Sequence, residues 1–188
     1  MNTEFNFLID KYWEEALGVI SNIPKVSPSI FCQNLSDGMF VLSSSSKENS
    51  RTVYGSAGLY HSDVIYEYDF EEDCVCKTPI KTWASKQKRA IAIIPENFSD
   101  THINRCVRMM RSLVGVSYKK IGIIQDISEF YLERYDSKEK AIEEVAPFIS
   151  TSIVSYSMCY AESHSVHKIE NWPYDLLISK KINKLFRF

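Results

Sequence analysis

The amino-acid sequence predicts an α+β fold in which a central antiparallel sheet packs against helices. Segments with the alternation and the β-branched and aromatic content of strands are concentrated between residues 39 and 94. Segments with helical spacing of apolar residues lie mostly on either side of that region. Such a segregation along the chain is typical of α+β proteins rather than of doubly wound α/β proteins.

The composition is that of a globular protein of one domain, residues 1–188. Hydrophobic residues make up 45% and charged residues 24%, and a net charge of −2 gives no reason to expect a nucleic-acid partner. Charged residues such as Glu4, Asp10 and Lys11 interrupt the N-terminal segment, so we expect no signal peptide. No other stretch approaches about 18 uninterrupted apolar residues, so we expect no stable membrane insertion. Five cysteines, an odd number, fit a reducing compartment better than a disulfide framework. These features predict a cytoplasmic protein.

The first predicted element is an amphipathic helix, and residues 1–22 form a helical addition to the domain. Its apolar residues recur at helical spacing: Phe5, Leu8, Ile9, Tyr12, Trp13, Ala16, Leu17 and Ile20. Pro24 and Pro28 interrupt this pattern, so residues 21–29 are expected to be a connector.

The strands are expected next in the chain. A turn at residues 36–38 precedes a short buried strand at 39–42, and a serine-rich loop follows to residue 51. Residues 55–69 alternate as a β-hairpin that turns at Ser62 and Asp63. A strand is also expected at 74–77, a helical turn at 80–83 and a strong strand at 89–94, which Pro95 ends.

The rest of the chain is predicted to be helical. The segment from Ser99 carries apolar residues at helical spacing, and Gly115 closes it. Further helices are expected within residues 118–135, 137–145 and 148–164. A final amphipathic helix after Pro173 would contain Leu176, Leu177, Ile182 and Leu185.

The residues that could carry catalysis or bind a metal in this chain are cysteines, histidines and carboxylates. The chain has no phosphate-binding glycine loop, no Gly-x-Ser-x-Gly motif and no His-Glu-x-x-His motif. Two thiolates of Cys74-x-Cys76 and two imidazoles of His164-x-x-His167 would suit tetrahedral zinc. Cys-x-Cys is not the usual zinc-knuckle spacing, however, so we expect no metal and no cofactor.

Cys159 is the candidate nucleophile. If Ser155 or Ser157 caps a helix, Cys159 lies in its first turn, where unpaired backbone N–H groups favour the thiolate. The alternative is that Cys159 is a small buried hydrophobic residue of an apolar helix.

The order of the motifs resembles that of the circularly permuted NlpC-type papain-like hydrolases, the YiiX/YebB-like group. The resemblance covers the chain from about residue 37 to its end. The segments that carry it are 38–42, 57–60, 64–67, 80–83, 91–95, 115–118, 159–162 and 173–176.

The resemblance implies a papain-like core at residues 37–188 and a cysteine hydrolase that acts on an amide, peptide or acyl bond. In that interpretation Cys159 attacks the carbonyl, His61 relays the proton and the carboxylate of Glu67 orients the base. The substrate would be a peptide or an acyl-amide or lipid molecule.

The chain departs from the family pattern at the position of the base. Alignment of residues 58–60 with the family strand places Ser56 where the catalytic histidine belongs, and serine cannot act as a base for a thiol at neutral pH. In a hairpin that turns at residues 62–63, Glu67 faces residues 57 and 58, whereas His61 would lie about 17 Å from position 56. Tyr156-Ser157 also resembles the Tyr-Cys of the family with serine in place of cysteine, which leaves the position of the nucleophile open. The alternative function is therefore a catalytically degenerate member that binds a peptide or lipid.

Overall fold

The computed structural model describes residues 15–45, 54–121, 149–158, 176, 179 and 182–188. Within these ranges the fold is α+β, as predicted, with one six-stranded sheet in the order β4-β3-β2-β1-β5-β6. All five strand pairings are antiparallel. The strands are β1 (Phe40–Ser45), β2 (Ser56–His61), β3 (Val64–Asp69), β4 (Cys74–Pro79), β5 (Gln87–Pro95) and β6 (Ile182–Arg187). The helices with both ends described are α2 (Pro28–Asn34), α3 (Ile80–Lys86) and α4 (Asp100–Ser112), with a 3-10 turn at Tyr118–Lys120. Residues 15–21 belong to helix α1 and residues 149–158 to helix α5.

The two faces of the sheet are covered by different helices. Alternate residues of β1, such as Phe40 and Leu42, belong to a core with apolar residues of α1, α4 and α5. Val41, between them, belongs to a second core with Phe31 of α2 and Trp83 of α3. The first of these is called the α4/α5 face below, and the second the α2/α3 face.

The predicted hairpin is present as β2 and β3. Ser62 and Asp63 both have positive φ, 51° and 61°, as a two-residue hairpin turn requires. The short turn fixes the register, so that His61 pairs with Val64 and Gly58 pairs with Glu67. The sequence-based placement of Glu67 opposite the 57–58 region is therefore confirmed.

Several other predicted elements are present. The helix at 99–115 is α4, which Ser99 caps by accepting the backbone N–H of His102. Gly115 has a φ of 79° and donates its backbone N–H to Val75 O, which ends the segment. The strand expected at 89–94 is β5, the turn at 80–83 opens α3, and residues 149–158 are helical within the helix expected at 148–164.

The final helix was predicted correctly at Leu176, which is helical, but wrongly at Ile182 and Leu185, since residues 182–187 form β6 at the edge of the sheet. This strand pairs with β5 from Pro95↔Ile182 to Ile91↔Arg187. Phe186 and Phe188 contact the ring of Phe31 edge-on, with centroids 5.1 Å and 4.8 Å apart. These contacts bury the aromatic residues of the C-terminal segment on the α2/α3 face. The sheet thus extends beyond the predicted region of residues 39–94.

The helices in the described ranges have no segment with the length and apolar character needed to cross a membrane.

Candidate functional site

The candidate site is the place where β2 begins, beside β3 and Ser150 of α5. Ser56 Oγ donates to Glu67 Oε2 at 3.3 Å. The same hydroxyl lies 3.3 Å from Oγ of Ser150, which is fully buried. Ser150 Oγ also accepts a short hydrogen bond from the backbone N–H of Ala57. These contacts form the Ser56–Glu67–Ser150 cluster, which joins two strands to a helix.

The local sequence explains why Glu67 reaches Ser56. Side chains two residues apart on a strand point to the same face, so Ser56 and Gly58 share the α2/α3 face with Glu67. Gly58 is opposite Glu67 and has no side chain to separate the two strands. A Cβ at this position would lie 2.7 Å from Ile65 Cγ2 and 3.0 Å from Tyr66 O. Glycine is therefore required where the cluster forms.

Trp83 of α3 covers the carboxylate from the α2/α3 face. Its indole Nε1–H donates to Glu67 Oε2 at 3.0 Å, and the tryptophan side chain is fully buried. This contact satisfies a buried indole donor and fixes the position of the carboxylate. Glu67 therefore accepts from both Trp83 and Ser56 at one oxygen.

The electrostatic consequence is a carboxyl group that titrates near neutrality. Burial raises the pKa of Glu67 from its ordinary value of 4.5 to about 7. The hydrogen bonds from Trp83 and Ser56 act in the opposite direction, and Lys86 also lowers the pKa, whereas Asp69 raises it. Glu67 is therefore able to hold or release a proton at neutral pH.

The cluster supplies hydroxyl and carboxyl groups but no imidazole. Ser56 stands between the carboxylate of Glu67 and the hydroxyl of Ser150. Ser150 is enclosed by the protein, and its oxygen is occupied by a backbone N–H. The arrangement can orient polar groups and store a proton, but a buried hydroxyl without a neighbouring strong base is not an activated nucleophile.

His61 lies at the opposite end of β2, beside Asp37. Its Nδ1 is 3.1 Å from Asp37 Oδ2, a distance typical of an ion pair when the ring is protonated, although the approach lacks the alignment of a hydrogen bond. The other carboxylate oxygen of Asp37 accepts the backbone N–H of Ser62 at 2.8 Å. The structure thus brings Glu67 to Ser56, as the register argument predicts, and brings His61 to Asp37.

The structure describes only some of the other residues predicted to form a site. Cys159, His164 and His167 lie outside the described residues. Cys74 and Cys76 lie side by side on β4, with sulfurs 3.7 Å apart. Among the described residues, no group of three or more histidine, cysteine, aspartate or glutamate side chains is arranged to hold a metal ion.

Three residues of the Ser56–Glu67–Ser150 cluster and the His61–Asp37 pair, or in contact with them, were not predicted from the sequence. Trp83 carried a weak signal, because a buried indole N–H needs an acceptor. Asp37 was assigned only to a turn. Ser150 carried no signal, because it is one serine in a serine-rich segment and contacts Ser56 across 94 positions.

Comparison with protein-family models and with curated proteins found no match to this chain.

Proposed function

We propose that the chain is a catalytically degenerate relative of the permuted papain-like hydrolases and that it binds a peptide or lipid without turnover. The observation that carries the proposal is the hydrogen bond from Ser56 Oγ to Glu67 Oε2. In the family pattern that the sequence resembles, Ser56 takes the position of the catalytic histidine and Glu67 that of the carboxylate that orients it. Under this proposal the chain keeps the carboxylate, Glu67, but the group that it hydrogen-bonds is the hydroxyl of Ser56 and not an imidazole.

The residues around Ser56 support the same proposal. The α5 residue that contacts Ser56 is Ser150, which lacks the reactivity of a cysteine thiolate. Ser43, opposite Ser56 on β1, has a buried hydroxyl with no hydrogen-bond partner in the described part of the chain. A polar group of a bound ligand would satisfy that hydroxyl, which costs free energy when it is left unpaired.

The test is a comparison of hydrolysis and binding in the full chain. Fluorogenic amide, peptide and ester substrates would be offered to the wild type and to the Cys159→Ala variant. We expect no turnover above the rate without protein in either. Binding would be measured by fluorescence polarisation of a labelled peptide library and by co-sedimentation with phosphatidylcholine vesicles, and we expect one of the two ligand classes to bind both proteins equally. Turnover that Cys159→Ala abolishes would overturn the loss of catalysis, and absence of binding to both classes would overturn the binding function.

The second candidate function is an active cysteine hydrolase, and the His61–Asp37 pair favours it. The carboxylate of Asp37 lies 3.1 Å from Nδ1 of a half-buried imidazole, within ion-pair distance although without the alignment of a hydrogen bond. A carboxylate beside Nδ1 is the group that orients the general base in serine and cysteine hydrolases. In this case Asp37, rather than Glu67, would be the orienting acid for Cys159.

Thiol reactivity separates the two candidates. A cysteine paired with an imidazole forms thiolate at low pH and reacts with iodoacetamide faster than ordinary cysteines. Labelling at pH 6, followed by peptide mass spectrometry, gives the rate for each of the five cysteines. Fast labelling of Cys159 that is lost in His61→Ala, and reduced in Asp37→Asn, would favour the hydrolase. Uniformly slow labelling would favour the binding protein.

A further inference from the structure

Cys74 and Cys76 form a pair of thiols at the edge of the sheet. They lie on the same side of β4 because they are two residues apart, and their Sγ atoms are 3.7 Å apart. Both residues are half-buried, so the pair is accessible from solvent. The hydrolase pattern and the Ser56–Glu67–Ser150 cluster make no use of these thiols.

The backbone of β4 opposes a disulfide between them. Residues two apart on a strand have Cα atoms separated by about 6.6–6.8 Å, at the upper limit of the range of about 4.4–6.8 Å that disulfides span. The ladder with β3 runs without interruption from Asp69↔Cys74 through Glu67↔Cys76, which keeps the strand extended. A disulfide would have to bring the sulfurs to about 2.05 Å from each other. The pair is therefore expected to remain reduced.

The same spacing suits a bridging metal ion. Bonds from zinc to thiolate sulfur are about 2.3 Å long, so two sulfurs at the observed separation can share one ion of similar size. Among the described residues, no histidine, cysteine, aspartate or glutamate joins the two thiols in a metal-binding group of three. Structural zinc sites use four protein ligands, whereas soft thiolate ligands also select Cu(I).

The charges around the thiols favour a cation. Asp69 lies opposite Cys74 in the β3–β4 ladder, and Glu72 belongs to the turn that connects the two strands. Glu67 lies opposite Cys76 in the same ladder. Negative charges that disfavour a thiolate stabilise a positive ion bound to it.

We propose that Cys74 and Cys76 together bind one soft monovalent metal ion of the Cu(I) class. Each thiol loses its proton to solvent and forms one sulfur–metal bond, so that two protons are released for each ion bound and the oxidation state of the metal is unchanged. Because the protons compete with the metal, the affinity rises with pH. Cys76 lies opposite Glu67 in the β3–β4 ladder, so the two sites adjoin, but the metal proposal does not rest on the proposed peptide or lipid function.

The experiment is an anaerobic titration of the full chain with Cu(I) in competition with a coloured Cu(I) chelator. The variants are Cys74→Ser and Cys76→Ser, with Cys32→Ser as the matched control for loss of a half-buried thiol. We expect the wild type and the control to withdraw one equivalent of Cu(I) with equal affinity. Either variant on β4 should bind at least tenfold more weakly. Equal affinity in all four proteins, or no competition by the wild type, would overturn the proposal.

A second measurement does not depend on how well the variants fold. One equivalent of Cu(I) is added to the wild type, all thiols are alkylated, and the modification of each cysteine is measured by mass spectrometry. We expect Cys74 and Cys76 to be protected together and Cys32 to be modified as before. Protection of only one of them, or of none, would contradict a shared ion.

Oxidised glutathione tests the argument from strand spacing. We expect incubation of the reduced protein with this oxidant to produce no internal Cys74–Cys76 disulfide, which would appear as a loss of two hydrogens in the peptide that contains both. Formation of that disulfide would overturn the preference for a metal ion over oxidation.

Discussion

Replacement of Glu67 by glutamine should remove a pH-dependent loss of stability. In the unfolded chain the carboxyl group releases its proton above its ordinary pKa of 4.5, whereas in the folded protein it holds the proton until about pH 7. The folded state therefore binds more protons between these two values, so the free energy of unfolding falls as pH rises through that range. Below pH 4.5 both states are protonated, and the residue contributes no pH dependence.

The magnitude follows from the difference between the two pKa values. At about 1.4 kcal/mol for each pH unit, a rise from 4.5 to about 7 corresponds to roughly 3 kcal/mol. Glu67 is only half-buried, so solvent screens part of the electrostatic effect. We therefore expect a loss of about 2 kcal/mol in the free energy of unfolding. The neutral amide of Glu67→Gln can still accept from Trp83 and Ser56 through its oxygen, so the variant keeps both hydrogen bonds without the buried charge.

Urea unfolding at pH 5, 6, 7 and 8 measures this effect. The wild type should lose about 2 kcal/mol relative to Glu67→Gln between pH 5 and 8, which is about 1 M in the urea midpoint. Glu96→Gln, at an exposed acidic residue after β5, is the matched control and should follow the wild type. Parallel pH profiles for the wild type and Glu67→Gln, or a wild type that gains stability relative to the variant as pH rises, would refute the reasoning.

Three further replacements test the packing around the cluster, and a fourth, at Gly18, is the control for Gly58. Trp83→Phe removes the indole donor to the carboxylate, so the pKa of Glu67 should rise further, as measured by carbon NMR titration of the carboxyl group. Gly58→Ala should lower the free energy of unfolding by about 1–3 kcal/mol, because the new Cβ would lie 2.7 Å from a β3 side chain. Gly18→Ala, in a helix with nothing within 4 Å, should raise it by about 0.5–1 kcal/mol. Ser150→Ala should cost about 1–3 kcal/mol, because a backbone N–H of β2 loses its acceptor.

Each of these outcomes has a result that contradicts it. A lower pKa of Glu67 in Trp83→Phe would mean that the indole does not stabilise the carboxylate. Equal effects of the two glycine replacements would contradict the steric argument for Gly58. A Ser150→Ala variant as stable as the wild type would show that the serine hydroxyl contributes no net stability to the contact between α5 and β2.

The elements that the sequence predicted correctly depend on short-range interactions. The hairpin follows from alternation and from a two-residue turn, which together fix the register and so place Glu67 opposite Gly58. Helix α4 follows from an apolar stripe and from the cap at Ser99. In both cases the residues that determine the structure are within a few positions of one another.

The sequence by itself determined the α+β class, the hairpin and the proximity of Glu67 to position 56. The tertiary structure decided what lies around that carboxylate and where the sheet ends. The spacing of Ile182 and Leu185 fits a helix, and pairing with β5 and contact with Phe31 make the segment a strand. Ser150 reaches Ser56 across 94 positions. Such contacts depend on the packing of distant segments, which no local pattern encodes, and burial by those segments raises the pKa of Glu67 to about 7.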